Sequence, residues 1–156
     1  MNAHTPPIPV PGKDVGRLLQ PVLVDLIALS LNAKQAHWHV QGRHFTQVHE
    51  QLDTLVDDVR DCADDVAERL IALDVPVDGR PAAVATTTNL PEFDQGFLGD
   101  DKVVSAIVDQ IDATISRGRQ ALGPLDEIDQ VSQDVVIELL RKLEKHRWMF
   151  AAQTTS

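Results

Sequence analysis

A chain of 156 residues suffices for one domain with a real core and is short for two. Fourteen Lys and Arg against 24 Asp and Glu give a net charge of −10, which repels nucleic acid unless basic residues are concentrated somewhere, and they are not. A 43% hydrophobic share beside 24% charged residues argues against wholesale disorder, and no run approaches the ~20 apolar residues of a membrane-spanning helix.

The first 12 residues hold Pro6, Pro7, Pro9 and Pro11 and lack the basic end and apolar stretch of an export signal, so secretion by that route is not expected. The lone Cys62 falls at an expected buried helix position, which suits a small core residue in a reducing compartment. Residues 1–14 are expected to form a flexible tail, 15–152 one helical domain, and 153–156 a short polar end. A cytoplasmic protein, possible company for the nucleoid included, is the expectation.

Four stretches carry a 3.6-residue apolar period and none carries a sustained two-residue alternation, which predicts an all-α fold. In the first helix Val15, Leu18, Leu19, Val22, Leu23, Leu26 and Ile27 make one stripe that continues through Ala36 toward Gly42. Pro21 removes an amide donor there, so the regular helix is expected to begin near it or bend at it.

The second helix is expected from about Thr46, as N-cap, to about Leu73, with Val48, Leu52, Leu55, Val59, Val66, Leu70 and Leu73 as its apolar face. Residues 75–99 then form a long connection, rich in Pro and Gly, whose stretch 90–97 is a candidate for a short helix. So long a connection within a four-helix unit implies a crossover along the bundle. Asp100 is placed as the cap of a third helix carrying Val103, Val104, Ile107, Val108, Ile111 and Ile115, ending near Gly123 and Pro124. The fourth carries Val135, Val136, Leu139, Leu140, Leu143, Trp148 and Phe150.

On the second helix His49, Asp53, Asp64 and Glu68 fall at about 0°, 40°, 60° and 100° around the axis, one face distinct from the apolar stripe. Acidic residues alone would make a solvated face, but the histidine changes that reading. His37 joins the same region, because antiparallel neighbours linked at Gly42 bring their adjoining ends together. At ~1.5 Å per residue Asp53 and Asp64 are ~16 Å apart, too far for one metal ion.

Two copies of this helix crossing antiparallel near Asp58 would set His49 and Asp53 of one chain against Asp64 and Glu68 of the other, giving two identical sites. The nitrogen and oxygen donors suit Fe(II) and are open to Zn or Mn. A di-iron site inside one bundle would need Glu-x-x-His motifs, and none of the six glutamates has a histidine three residues later.

Residues 34–42, KQAHWHVQG, followed by Phe45, His49, Asp53, Asp64 and the run Ala67, Glu68, Arg69, resemble the signature of the Dps family of ferritin-like proteins. The crossover and the closing Leu143, Glu144, Lys145 and Trp148 agree at lower specificity. The resemblance implies a ferritin-like four-helix bundle. It also implies a ferroxidase site of His37, His49 and Asp53 from one subunit with Asp64 and Glu68 from its two-fold mate. It further implies a dodecameric shell that oxidises Fe(II), preferably with hydrogen peroxide rather than dioxygen, stores ferric mineral and limits oxidative damage.

Trp38 resembles the family tryptophan near the site, either intercepting stray oxidising equivalents or packing, with packing the expected role. His39 departs from the family's usual Asn and is either an auxiliary metal contact or a surface histidine. Asp126, Glu127, Asp129 and Asp134 match the region that lines three-fold pores in the family, although acids at a helix start also compensate its dipole. Lysine-rich tails are absent from this chain, so DNA binding is not favoured. The alternative from another class is a structural or DNA-compacting cage with a static metal.

Overall fold

Pro21 and Pro124, expected to start, bend or stop helices, both lie inside long ones. Each proline strips the hydrogen bond from the carbonyl four residues earlier. Those carbonyls belong to Arg17 and Gln120, both on exposed positions where water can take the place of the missing amide. The computed structural model describes residues 9–154. In chain order its elements are α1 (Gly12–His39), β1 (Val40–Gln41), α2 (Phe45–Ala72), α3 (Pro81–Thr87), β2 (Leu98–Gly99), α4 (Asp100–Ile128) and α5 (Gln130–Ala151).

The first helix therefore takes in Gly12, Lys13 and Asp14 from the stretch assigned to the tail, while residues 1–8 lie outside the described residues. Likewise α4 runs past Gly123 to Ile128, so Asp126 and Glu127 end the third long helix instead of preceding the fourth. The short extra helix exists, but at Pro81–Thr87 and not at 90–97. Its signal is a proline at the first helical position, where the absent amide costs nothing, followed by alanines.

Two antiparallel hairpins, α1 with α2 and α4 with α5, pack face to face as a four-helix bundle. Leu19, Leu26 and Leu29 of α1, Leu52, Leu55 and Leu70 of α2, Ile107 and Ile111 of α4, and Leu139, Leu143 and Phe150 of α5 fill the centre at 2% exposure or less. Truncating any one of these leucines to alanine costs about 2–5 kcal/mol. Most of the expected stripe residues are buried, but Leu18, Ile27, Leu73, Val108, Ile115 and Val135 are only partly so, and Trp148 is 66% exposed.

The crossover between the hairpins is buckled to α1 and α4 by polar contacts. Gln20 and Asp78 exchange hydrogen bonds of 2.8 and 3.0 Å, and Gln110 Nε2 donates to the Pro91 carbonyl at 2.6 Å. Asp25, fully buried, accepts from Thr88 Oγ1 and the Asn89 amide on one oxygen and from Arg117 Nε on the other. The crossover's last residues then pair in parallel with the end of α1, Val40 with Leu98 and Gln41 with Gly99.

That pairing puts the start of α4 against the turn between α1 and α2. Gly42 turns there at φ +131°, and a Cβ on it would sit 2.7 Å from the Asp100 carboxyl carbon. Asp100 is the first residue of α4, not its cap; its carboxylate accepts the His44 amide at 2.7 Å and so caps α2 from another helix. That bond, supported by the Asp101 amide, outweighs desolvation and holds the Asp100 carboxyl below the usual aspartate range. Thr46, the expected cap, lies inside α2. Among the described residues no helix is long and apolar enough to cross a membrane.

Candidate metal centre

The turn at Gly42 decides what faces what. It brings the last helical turn of α1 beside the first turns of α2, and so His37 beside His49 and Asp53. His49 and Asp53 are four residues apart on α2 and stand on one face, as do Lys34 and His37, three apart on α1.

The two imidazoles stack, with ring centroids 3.7 Å apart and planes 15° from parallel. His37 Nδ1 lies 2.7 Å from the His49 carbonyl, and His49 Nδ1 lies 2.7 Å from the His37 carbonyl. A carbonyl oxygen only accepts, so each Nδ1 carries a proton and donates it. In the neutral ring this leaves each Nε2 lone pair as the free donor toward a metal, the arrangement by which outer partners fix a ligand's tautomer. Phe45 stacks on the far side of His49, 5.0 Å between centroids.

Asp53 reaches the same place, its Oδ1 lying 3.8 Å from His37 Nδ1 and bonded by the Lys34 ammonium. The hydrogen bond from Lys34 outweighs desolvation, with His37 and His49 adding to it, and holds the Asp53 carboxyl below the usual aspartate range. Two nitrogen donors and a carboxylate thus share one end of the first hairpin.

Asp64 and Glu68 are exposed farther along α2 and are not brought to this cluster within the chain. Among the described residues no group of three or more His, Cys, Asp or Glu side chains is poised to hold a metal ion within one chain. The cluster within one chain therefore stops at His37, His49 and Asp53.

Trp38 is 62% exposed, which corrects the expected packing role within the chain. His39 donates from Nδ1 to the Gln35 carbonyl of its own helix at 2.9 Å and leans on Phe97, 5.5 Å between rings.

Asp126 and Asp134 are exposed, but Asp129 is buried. Its carboxylate caps α5 by accepting the Ser132 amide and hydroxyl, and takes Arg69 Nη2 of α2 at 2.8 Å. A carboxylate so engaged inside the subunit is a corner lock, which sets Asp129 apart from the exposed Asp126 and Asp134.

Lys34 also reaches this cluster, and its only signal in the sequence is the three-residue spacing to His37.

Two antiparallel helical hairpins joined by a long crossover are the architecture of the ferritin-like class of helical bundles. A family model described as a ferritin-like domain matches residues 17–156. The Dps of Microbacterium arborescens, solved in a high-iron form, superposes with a TM-score of 0.87 at 39% identity, covering 94% of this chain and 95% of that one. A tetragonal form of Mycobacterium smegmatis Dps gives 0.90 at 30% identity, covering 96% and 93%.

Among curated relatives, DNA protection during starvation protein 2 of Deinococcus radiodurans is 34% identical over 86% of this chain, which spans only 56% of that relative's length. The Mycolicibacterium smegmatis DNA protection during starvation protein is 33% identical, with 92% and 78% covered. The chain belongs to the Dps family of the ferritin-like superfamily.

Proposed function

We propose that this chain is a Dps-type ferroxidase subunit that oxidises Fe(II), preferably with hydrogen peroxide, and stores the ferric product in a hollow dodecamer. The observation that carries the reading is the reciprocally bonded pair His37 and His49, whose fixed Nδ1 protons leave both Nε2 lone pairs unengaged, with the Asp53 carboxylate 3.8 Å from the His37 ring. Asp64 and Glu68 of the partner subunit complete the site across a two-fold axis. Such a site is the simplest use for the His49–Asp53 and Asp64–Glu68 pairs, whose nearer members Asp53 and Asp64 are ~16 Å apart along one face of α2.

Iron is the substrate. The imidazoles hold Fe(II), while the carboxylates favour the higher charge of the product, so electron loss to peroxide becomes easier on binding. Zn(II) and Mn(II) would compete for the same donors. With a net charge of −10, the chain is not proposed to bind DNA tightly, and its seat is the cytoplasm.

Subunit complementation tests the shared site. A His37→Ala, His49→Ala chain and an Asp64→Ala, Glu68→Ala chain are each refolded alone and then together, with assembly verified by mass. Both homogeneous assemblies lose peroxide-driven Fe(II) oxidation. The mixture regains about a quarter of the wild-type rate, since random pairing rebuilds one of two sites in half the dimers. No recovery in the mixture rejects the shared site, and a wild-type rate no faster than buffer favours the cage with a static metal.

A further inference from the structure

Asp100 opens α4 and also serves α2. Its Oδ2 accepts the His44 amide at 2.7 Å and its Oδ1 accepts the Asp101 amide at 2.9 Å, so one carboxylate stands at the starts of two helices. Neither helix is capped by the side chain of its own N-cap residue, and the first turn of α2 holds no acid. A helix start gathers unpaired amides and partial positive charge, which a carboxylate offsets.

What this tie holds is the turn that sets His49 against His37. Residues 41–47 are all exposed, and the first buried side chain of α2 is Val48, next to His49. The core grips the chain at Val40 and again at Val48. Between them the turn is fastened by the pairing of Gln41 with Gly99 and by the Asp100 carboxylate, whose carbon and two oxygens lie 2.7–2.8 Å from where a Cβ on Gly42 would stand. The histidine exchange depends on that fastening, because its two bonds of 2.7 Å weaken steeply once a donor moves by ~1 Å.

Resting on the site proposed above, we infer that Asp100 is a positioning residue for that metal centre. From the second hairpin it holds the start of α2 in the register at which His37 and His49 exchange their bonds, and so keeps both Nε2 lone pairs in ligating position. It acts through the turn and not by contact, since its hydrogen bonds go to the main-chain amides of His44 and Asp101. Loss of the carboxylate also removes a negative charge from the neighbourhood, which by itself weakens binding of a cation. Asparagine, neutral but still an acceptor, separates the two effects.

The test titrates Co(II), whose visible bands report its ligands, into the assembled protein without oxidant. Asp100→Ser keeps a polar start for α4, but its hydroxyl is one bond too short for the His44 amide. It is expected to bind Co(II) about tenfold more weakly than wild type, the low end of what loss of an orienting partner costs, and to shift the bands of the fully loaded site. Asp100→Asn restores the acceptor without the charge and is expected to regain the wild-type affinity and bands. Both substitutions lie at a partly exposed position and bury no new group, and assembly is verified by mass before titration.

Wild-type affinity and bands in Asp100→Ser, even beside a lower urea midpoint, make Asp100 a helix cap and nothing more, and overturn the inference. Equal weakening by serine and asparagine with unchanged bands assigns the effect to charge and overturns it as well. His49→Ala, Asp53→Ala separates these failures from that of the site. If Co(II) binds that variant as it binds wild type, the metal lies elsewhere and the proposed site falls together with the role of Asp100.

Discussion

His37 and His49 hold each other through the main chain, each ring donating to the other residue's carbonyl at 2.7 Å while the rings stack at 3.7 Å. The pair is therefore structural before any metal arrives. Replacing either ring by alanine removes the stack and one hydrogen bond, for about 1 kcal/mol of stability. Because both replacements destroy the same stack, the double variant should lose less than the two singles added together, with a coupling of about 0.5–1.5 kcal/mol. Urea unfolding of metal-free protein measures this cycle, and strict additivity would mean that the rings are merely neighbours. In Fe(II) oxidation each single variant removes a proposed ligand together with a bond that orients the other ring, so it should be slower by more than the about 10–100-fold that loss of an orienting partner alone costs.

Asp25 is a carboxylate with no solvent contact, and Arg117 is the cation that faces it. Removing one partner of a buried pair leaves an uncompensated charge, so Arg117→Ala should destabilise the chain by about 3 kcal/mol. Thr88 and the Asn89 amide still hold one Asp25 oxygen, which keeps the loss at the low end. Hydrogen exchange should show the first opening in the crossover at Thr88 and Asn89, ahead of the paired helices. Uniform loss of protection across the bundle would refute this assignment of Asp25 as the crossover's anchor.

Cys62 stands at 3% exposure on the inner face of α2. Burial, ahead of the pull from Lys142, pushes its thiol up to about 11. At pH 8 the thiolate fraction is then roughly a hundredfold below that of a free cysteine. Alkylation by iodoacetamide should be slower than for the unfolded chain by at least that factor, and it should recover in denaturant. Rapid labelling of the folded assembly would contradict the burial.

Much of this was written in the periodicity. The 3.6-residue spacing alone separates the apolar stripe of α2 from the face bearing His49, Asp53, Asp64 and Glu68, because a helix fixes angle from residue number. What it could not give were contacts made by a different helix. Asp100 caps α2 from the start of α4, and no rule of local spacing links residue 100 to residue 44. Lys34 meets Asp53 for the same reason. Pro21 lies inside α1 and Pro124 does not end α4, because the cost of a proline depends on whether the carbonyl it strips faces water, which only the packed bundle decides. Acids near a helix start carry a similar ambiguity, resolved for Asp129 by Arg69 arriving from α2.

Asp129 and Arg69 make a prediction whose sign follows from burial and charge together. Desolvation alone would raise the Asp129 carboxyl, but hydrogen bonds from Ser132 and Arg69 outweigh it and hold the group below the ordinary aspartate value. A depressed folded value means that below pH ~4 the unfolded chain binds more protons, so the contribution is complete above that point and fades as pH falls through the folded value. Asp129→Asn keeps the size and part of the cap but leaves Arg69 without its charge partner, at a cost of about 3 kcal/mol at pH 7. The stability gap between wild type and variant should therefore be constant from pH 6 to 8 and close progressively in acid below ~4. Urea midpoints across that range decide it: a gap independent of pH would mean that Asp129 acts by its shape alone, and no gap at all would mean that its bonds to Arg69 and Ser132 contribute nothing net to stability.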